Sequence, residues 1–224
     1  TRDAVDCLIE RGGQRYLIVD TAGIRKGRLL KENVDHVSVV QSRRAIERAD
    51  VAVLVLDVES GFREMDATIG GEIVEAGAGV VVAVNKWDVA PEKKLAQRVF
   101  ERDMRDHLKF LPWAPLVFLS AKTGKGVGAL LDAVDRVHAA RSARVTTGEL
   151  NRLLARAAER YAPKADKGSQ QVRILFGSQI GIAPPTFAVS INHPVDLHFS
   201  YRRYLENQIR EVFGFEGAPI RIKV

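Results

Sequence analysis

Apolar residues change their spacing in a regular way along this chain. From Ala4 to Glu10 they fit a strand, Arg11-Gly12-Gly13-Gln14 is a turn, and Arg15 to Asp20 is a second strand, so the two pair as a hairpin. A polar loop, Ile24 to Lys31, follows, and then Val34, Val37, Val40, Ala45 and Ile46 recur at roughly helical spacing. Three continuous β-branched runs come next. They are Val51 to Asp57, Val80 to Asn85 and Leu116 to Ser120, and helical patterns follow near Asp66 to Ala76, Leu95 to Leu108 and Val127 to about Arg141. Uninterrupted apolar strands alternating with amphipathic helices predict a parallel sheet covered on both faces. Ligands of such sheets bind beyond the carboxyl ends of the strands.

Near Arg141 to Gly148 the pattern changes. Thr146 or Thr147 can cap a helix whose apolar face is Leu150, Leu153, Leu154 and Ala157. Residues 163–170 are polar, and Val172 to Phe176 and Thr186 to Ile191 read as strands. Tyr201 to Phe213 reads as a helix, and Pro219 to Val224 as a last strand. This α-β-β-α-β order predicts a second, small α+β domain over 145–224, after a first domain over 1–144.

Composition narrows the class. The chain has 224 residues, 46% hydrophobic and 28% charged, which is ordinary for a water-soluble fold. Its longest strongly apolar run, Val80 to Val84, is far too short to span a bilayer, so no membrane partner is expected. One cysteine, Cys7, excludes an internal disulfide and fits a reducing, cytoplasmic compartment. Residues 1–144 carry 23 basic and 21 acidic side chains, a net +2, and residues 145–224 carry 11 and 7, a net +4. The tail is therefore the more basic part per residue, which admits nucleic acid as a partner without requiring it.

The chemistry sits at three predicted strand ends. Asp20-Thr21-Ala22-Gly23 closes one run: the Asp20 carboxylate can hold Mg²⁺, and Gly23 lets a backbone N–H approach a terminal phosphate. Asn85-Lys86-Trp87-Asp88 closes another. Asp88 offers two oxygens to the N1–H and N2 donors of guanine, a bidentate fit that adenine cannot repeat. Asn85 can tie the loop, and the Lys86 stem can lie across the base. Ser120-Ala121-Lys122 closes the third, with the Ala121 N–H available to guanine O6 and Lys122 to the opposite face of the base. Thr1 is a further candidate Mg²⁺ ligand. The polar loop from Thr21 to about Glu32 is the segment expected to move with the nucleotide.

These peptides, together with Thr1-Arg2-Asp3 and Ile24-Arg25, resemble the second GTPase domain of the bacterial double-GTPase family called Der or EngA. Pro184-Pro185-Thr186-Phe187, His198-Phe199-Ser200-Tyr201, Arg203-Tyr204-Leu205-Glu206-Asn207 and Phe213-Gly214-Phe215-Glu216-Gly217 resemble that family's C-terminal KH-like domain. The resemblance implies a three-layer α/β fold of the P-loop GTPase kind, with a mostly parallel sheet and a hairpin edge, followed by a KH-like α+β domain. It implies GTP and GDP as ligands, Mg²⁺ and, in the intact protein, K⁺ as cofactors, and slow hydrolysis with the apolar Ile24 where many GTPases carry a water-orienting glutamine. It also implies a cytoplasmic, monomeric assembly factor. Its expected partner is the large ribosomal subunit and its rRNA, with the KH-like domain docked on the GTPase domain.

The departures are part of the expectation. The family's first GTPase domain is missing, and the sequence has no Gly-x-x-x-x-Gly-Lys-Ser/Thr loop to cradle phosphates. The opening Thr1-Arg2-Asp3, without methionine, is expected of a chain trimmed at its start or preceded by a further segment, and the missing phosphate loop predicts that these residues bind GTP poorly by themselves. Gly214-Phe215-Glu216-Gly217 is the only Gly-x-x-Gly of the tail; it reads as a helix-ending turn rather than an RNA clamp, since Glu216 would repel phosphates. Lys164, Lys167, Arg173, Arg202, Arg203, Arg210, Arg221 and Lys223 are left as candidate phosphate contacts. Two readings stay open at this point: a GTPase switch, and a non-catalytic RNA- or ribosome-docking module whose GTPase-like half is a scaffold.

Overall fold

The computed structural model describes residues 6–19, 43–90, 92–163 and 172–224. Two compact units divide the chain, Thr1–Ala49 and Asp50–Val224. In the first, β1 (Asp6–Arg11) pairs antiparallel with β2 (Gln14–Val19), from Asp6 opposite Val19 to Arg11 opposite Gln14, across a Gly12-Gly13 turn. Residues 43–48 are helical.

The second unit begins with a parallel sheet of β3 (Val51–Asp57), β4 (Gly79–Asn85) and β5 (Leu116–Phe118), in that order. Between the strands run α1 (Glu64–Ala76) and α2 (Lys93–His107), and α3 (Val127–Arg141) follows the last. Val80 to Val84 are wholly shut off from solvent, because β4 is central and covered on both faces. Against one face α3 packs Ala133 and Val137 on Val81 and Val117. The register sets Asp57 beside Asn85 and Val84 beside Phe118, so all three strands end on one rim.

A second sheet follows. In it β6 (Ile174–Gly181) pairs antiparallel with β7 (Thr186–Ile191), which pairs parallel with β8 (Arg221–Lys223). Helices α4 (Thr147–Arg160) and α5 (Phe199–Phe213) cover one face around Leu150, Leu154, Phe187, Leu205 and Ile209. Thr146 caps α4: its hydroxyl accepts from the Glu149 N–H. The expected strand over Val172 to Phe176 lies instead at Ile174–Gly181 and is longer. It runs on past Phe176 because β6 absorbs extra residues through bulges at Leu175 and Ile180. The Asn151 side chain also exchanges two hydrogen bonds with the Gly177 backbone, of 2.8 and 2.9 Å.

The two sheets meet at the amino end of β4. The Val80 N–H donates to the Gly217 carbonyl at 2.7 Å, and the Gly217 N–H to the Trp113 carbonyl at 3.0 Å. Gly217 has φ +65°, and a Cβ there would meet the Val137 side chain and lie 2.8 Å from the Val80 oxygen, so only glycine fits. Arg210 lies 4.5 Å over the Trp113 ring and donates to the Phe215 and Ala218 carbonyls; burial pulls its guanidinium down to about 10. Arg141, buried, donates to Asp50 at 2.9 Å and to the Gly77 carbonyl at 3.3 Å, while its own carbonyl accepts from the Ala183 N–H. Arg221 reaches the Glu75 carbonyl at 2.7 Å. Gly214 ends α5 with φ 83°, so the Gly-x-x-Gly of the tail is a helix-ending turn, and Glu216 pairs with Arg136 at 3.1 Å.

Candidate functional site

The loops after β4 and β5 close on each other at the sheet's carboxyl rim. Lys86 takes φ 61°, which turns the chain sharply out of β4. The Asn85 side-chain oxygen then accepts from two backbone donors, its neighbour Lys86 N–H at 2.7 Å and Ala121 N–H at 2.9 Å across the gap. A third tie is the Trp87 N–H to the Leu119 carbonyl at 3.0 Å. Asn85 thus braces one loop against the other, and the Ala121 N–H, expected free for guanine O6, donates to Asn85 instead.

Ser120 is buried beneath this junction, only 2% exposed. Its backbone N–H donates to Lys125 O at 2.8 Å and its carbonyl accepts from Gly124, which winds the loop tightly. Its hydroxyl oxygen accepts from the Thr123 N–H at 3.2 Å. The hydroxyl proton goes to Asp88, and this bond, ahead of the nearby Lys122 and Lys93 charges, holds the Asp88 carboxyl below its ordinary value of 3.8. Gly126, at φ 84°, lets α3 start directly under β5; a Cβ there would press on the Phe118 carbonyl and lie 2.9 Å from Leu119 Cα.

A cleft of about 340 Å³ opens between the loops, lined by Glu59, Asn85, Lys86, Asp88, Val89, Ala121 and Lys122. Its Asp88 carboxylate is ionised and exposed, and the Lys122 ammonium stands on the facing loop. The cleft thus presents an exposed acceptor pair at Asp88, while the Ala121 N–H on its lining is engaged by Asn85.

Two side chains of the Asn-Lys-x-Asp peptide act in ways the sequence did not reveal. The Lys86 ammonium meets Asp57 at 2.6 Å and Glu59 at 3.4 Å. Both carboxylates raise the Lys86 pKa, Asp57 most, and the same bond lowers that of Asp57. With its head fixed, the Lys86 stem is held along the cleft. The signal was present: Asp57 ends β3 as Asn85 ends β4, and parallel strands in register set such residues side by side. Trp87, counted with the ligand-binding residues, does not line the cleft. Its ring packs on Phe118 at 4.3 Å and near Phe100 at 6.4 Å, so it anchors the loop to the core.

Thr1, Asp20, Thr21, Ala22, Gly23 and Ile24 lie outside the described residues. Among the described residues no group of three or more His, Cys, Asp or Glu could hold a metal ion, and no helix is long and apolar enough to cross a membrane. Of the candidate phosphate contacts, Lys164 and Lys167 also lie outside the described residues. Arg202 is tied to Asp196 at 2.7 Å and to the Leu197 and Ile222 carbonyls, and Arg210 and Arg221 are spent on backbone carbonyls. Arg173, Arg203 and Lys223 are exposed.

Comparison with known proteins places this geometry. Residues 9–140 match the family model for the Elongation factor Tu GTP binding domain, and residues 144–224 match that for the KH-domain-like C-terminal region of EngA bacterial GTPase enzymes. A protein named GTPase Der from Desulfitobacterium hafniense (strain DSM 10664 / DCB-2) is 45% identical over 224 residues, and one from Bacillus thuringiensis (strain Al Hakam) is 43% identical over 222. The alignments cover 100% and 99% of this chain and 51% of each relative, so the chain spans about half the length of the curated relatives it matches. Among solved structures, Era in complex with MgGDPNP and nucleotides 1506–1542 of 16S ribosomal RNA aligns with a TM-score of 0.53 at 16% identity. It covers 100% of this chain and 80% of that one, a likeness of fold. The strand-end cleft, the two family matches and the relatives agree: the chain belongs to the Elongation factor Tu GTP-binding-domain family, in its Der or EngA line, with that line's KH-like domain at its carboxyl end.

Proposed function

We propose that this chain is the guanine-reading and docking portion of a GTPase that hydrolyses GTP to GDP and phosphate and serves assembly of the large ribosomal subunit. The observation that carries this is the Asn85 brace: one side-chain oxygen bonds both loops, so Asp88 and Ala121 face the same cleft. Asp88 accepts from the N1–H and N2 amino groups of guanine. The Ala121 N–H passes to, or is shared with, O6, and the Lys86 and Lys122 stems cover the two faces of the base. Asp20 and Thr1 would hold Mg²⁺, and Gly23 would meet the terminal phosphate, with Thr21, Ala22 and Ile24 completing that loop. A bound K⁺, a cytoplasmic site and a monomeric state belong to the same reading, as does a GTPase domain ending near residue 144. Bound Mg²⁺ supplies charge neutralisation for phosphoryl transfer.

The sequence has no Gly-x-x-x-x-Gly-Lys-Ser/Thr, so these residues supply base contacts without the main phosphate cradle. Calorimetric titration of the chain with GDP tests this. Affinity weaker than about micromolar is expected, and micromolar binding contradicts it. The second reading, a docking module, is favoured by the net +4 of residues 145–224. Co-sedimentation with large ribosomal subunits in the absence of nucleotide tests that reading.

A further inference from the structure

The two layers of the KH-like domain differ in where their acidic residues lie. The helix layer carries acids beside its arginines, with Glu149 and Glu159 on α4 and Glu206 and Glu211 on α5. By contrast β6, β7 and β8 contain no acidic residue. Alternation and register sort their side chains. Phe187, Val189 and Ile222 point into the helix-covered core. On the other face Phe176 lies opposite Ser190, Ser178 opposite Ala188, and Ala188 opposite Lys223. Phe176 is 48% exposed and the bulge residue Ile180 56% exposed. Arg173, one step beyond the amino end of β6, is exposed as well. The face is thus an aromatic ring and small or hydroxyl-bearing residues between two cationic edges. Arg221 marks where it ends, since its guanidinium is turned to Glu75 at the junction with α1.

We propose that this open sheet face binds single-stranded RNA, with a base stacked on Phe176 and flanking phosphates drawn to Lys223 and Arg173. The inference rests on the RNA-docking part of the reading above and names its surface. The side chains select the occupant: the strands offer a polyanion cations and an exposed ring with no carboxylate among them, whereas on α4 and α5 four carboxylates stand among six arginines. A flat aromatic-bearing sheet suits unpaired bases, because every base has a face to stack. Adjacent strands lie about 4.8 Å apart and residues along a strand about 3.4 Å apart, so Phe176 and Lys223, two strands and two residues apart, stand roughly 12 Å from each other, within the reach of neighbouring nucleotides.

The test is fluorescence anisotropy of the full chain with fluorescein-labelled oligouridine at several salt concentrations. Phe176→Ala should weaken binding about tenfold, and Phe176→Trp should retain it. Ser190→Glu puts one negative charge on the face without touching the core, and should also weaken binding. Arg173→Glu with Lys223→Glu should flatten the dependence of log Kd on log salt. Arg152→Glu with Arg156→Glu, on α4, should change little. Circular dichroism melting confirms that each variant folds. If the sheet variants bind as the parent does while the α4 variant loses affinity, RNA docking stands and this surface assignment falls. If no substitution changes RNA affinity, the assignment falls and the face is left to a protein partner. A parent chain that binds no oligouridine at low salt overturns both.

Discussion

The two ends of β4 are built in opposite ways. At its amino end, Val80 is fully buried and bonded to Gly217, and the contact is backbone on backbone with no room for a Cβ. At its carboxyl end, Asn85 is half-buried and Asp88 exposed, and the loops are held by hydrogen bonds around an open cleft. The first end depends on shape and tolerates no added volume. The second depends on hydrogen-bond identity and tolerates changes that keep it. One strand thus carries a structural joint at its foot and a recognition site at its tip, and substitutions at the two ends should fail differently.

The largest expected effect is at the foot. Gly217→Val forces a branched side chain into the Val137 and Val80 contact at a positive φ, and should cost about 3 kcal/mol or more of stability in denaturant unfolding. Next is Asp88→Asn at the tip. It should leave the melting temperature nearly unchanged, weaken guanine-ligand binding more than tenfold, and bring binding of xanthine ligands, whose C2 carbonyl accepts from the new amide. A smaller effect separates the two ends by pH. The folded Asp88 carboxyl is depressed, chiefly by the Ser120 hydroxyl, so guanine binding is complete above 3.8 and is lost as pH falls through the lower folded value. Ser120→Ala should move that loss to higher pH, as a titration of binding against pH would show. The smallest is Asp57→Asn, which releases one of two carboxylates on an exposed lysine. It should leave stability unmoved and weaken guanine binding only a few-fold, measured by competition between guanosine and inosine ligands.

Much of this was legible in the sequence wherever one physical rule dominated. Val51–Asp57 was read at its observed bounds because a continuous β-branched run has few alternatives, and Gly214 was read as a helix end because positive φ favours glycine. The meeting of the Asn85 and Ser120 loops was legible as two strand ends, since parallel strands place their termini together, and the third peptide, at Asp20, lies outside the described residues. What stayed hidden depends on long-range pairing. Nothing local says that Gly217 will close on Val80, that Arg202, Arg210 and Arg221 will be spent on carbonyls, or that Trp87 will turn toward Phe118. Arginine in a basic tail looks like a phosphate contact until its hydrogen bonds are traced.

The most direct measurement follows the Ala121 and Asp88 backbone amide resonances of the isotope-labelled chain during titration with GDP and, separately, ADP. If these loops form a guanine-selective cleft, GDP shifts both resonances together, the Val80 and Gly217 amides stay in place, and ADP shifts neither. Equal shifts with both nucleotides, or GDP shifts confined to residues away from the β4 and β5 loops, would contradict the account.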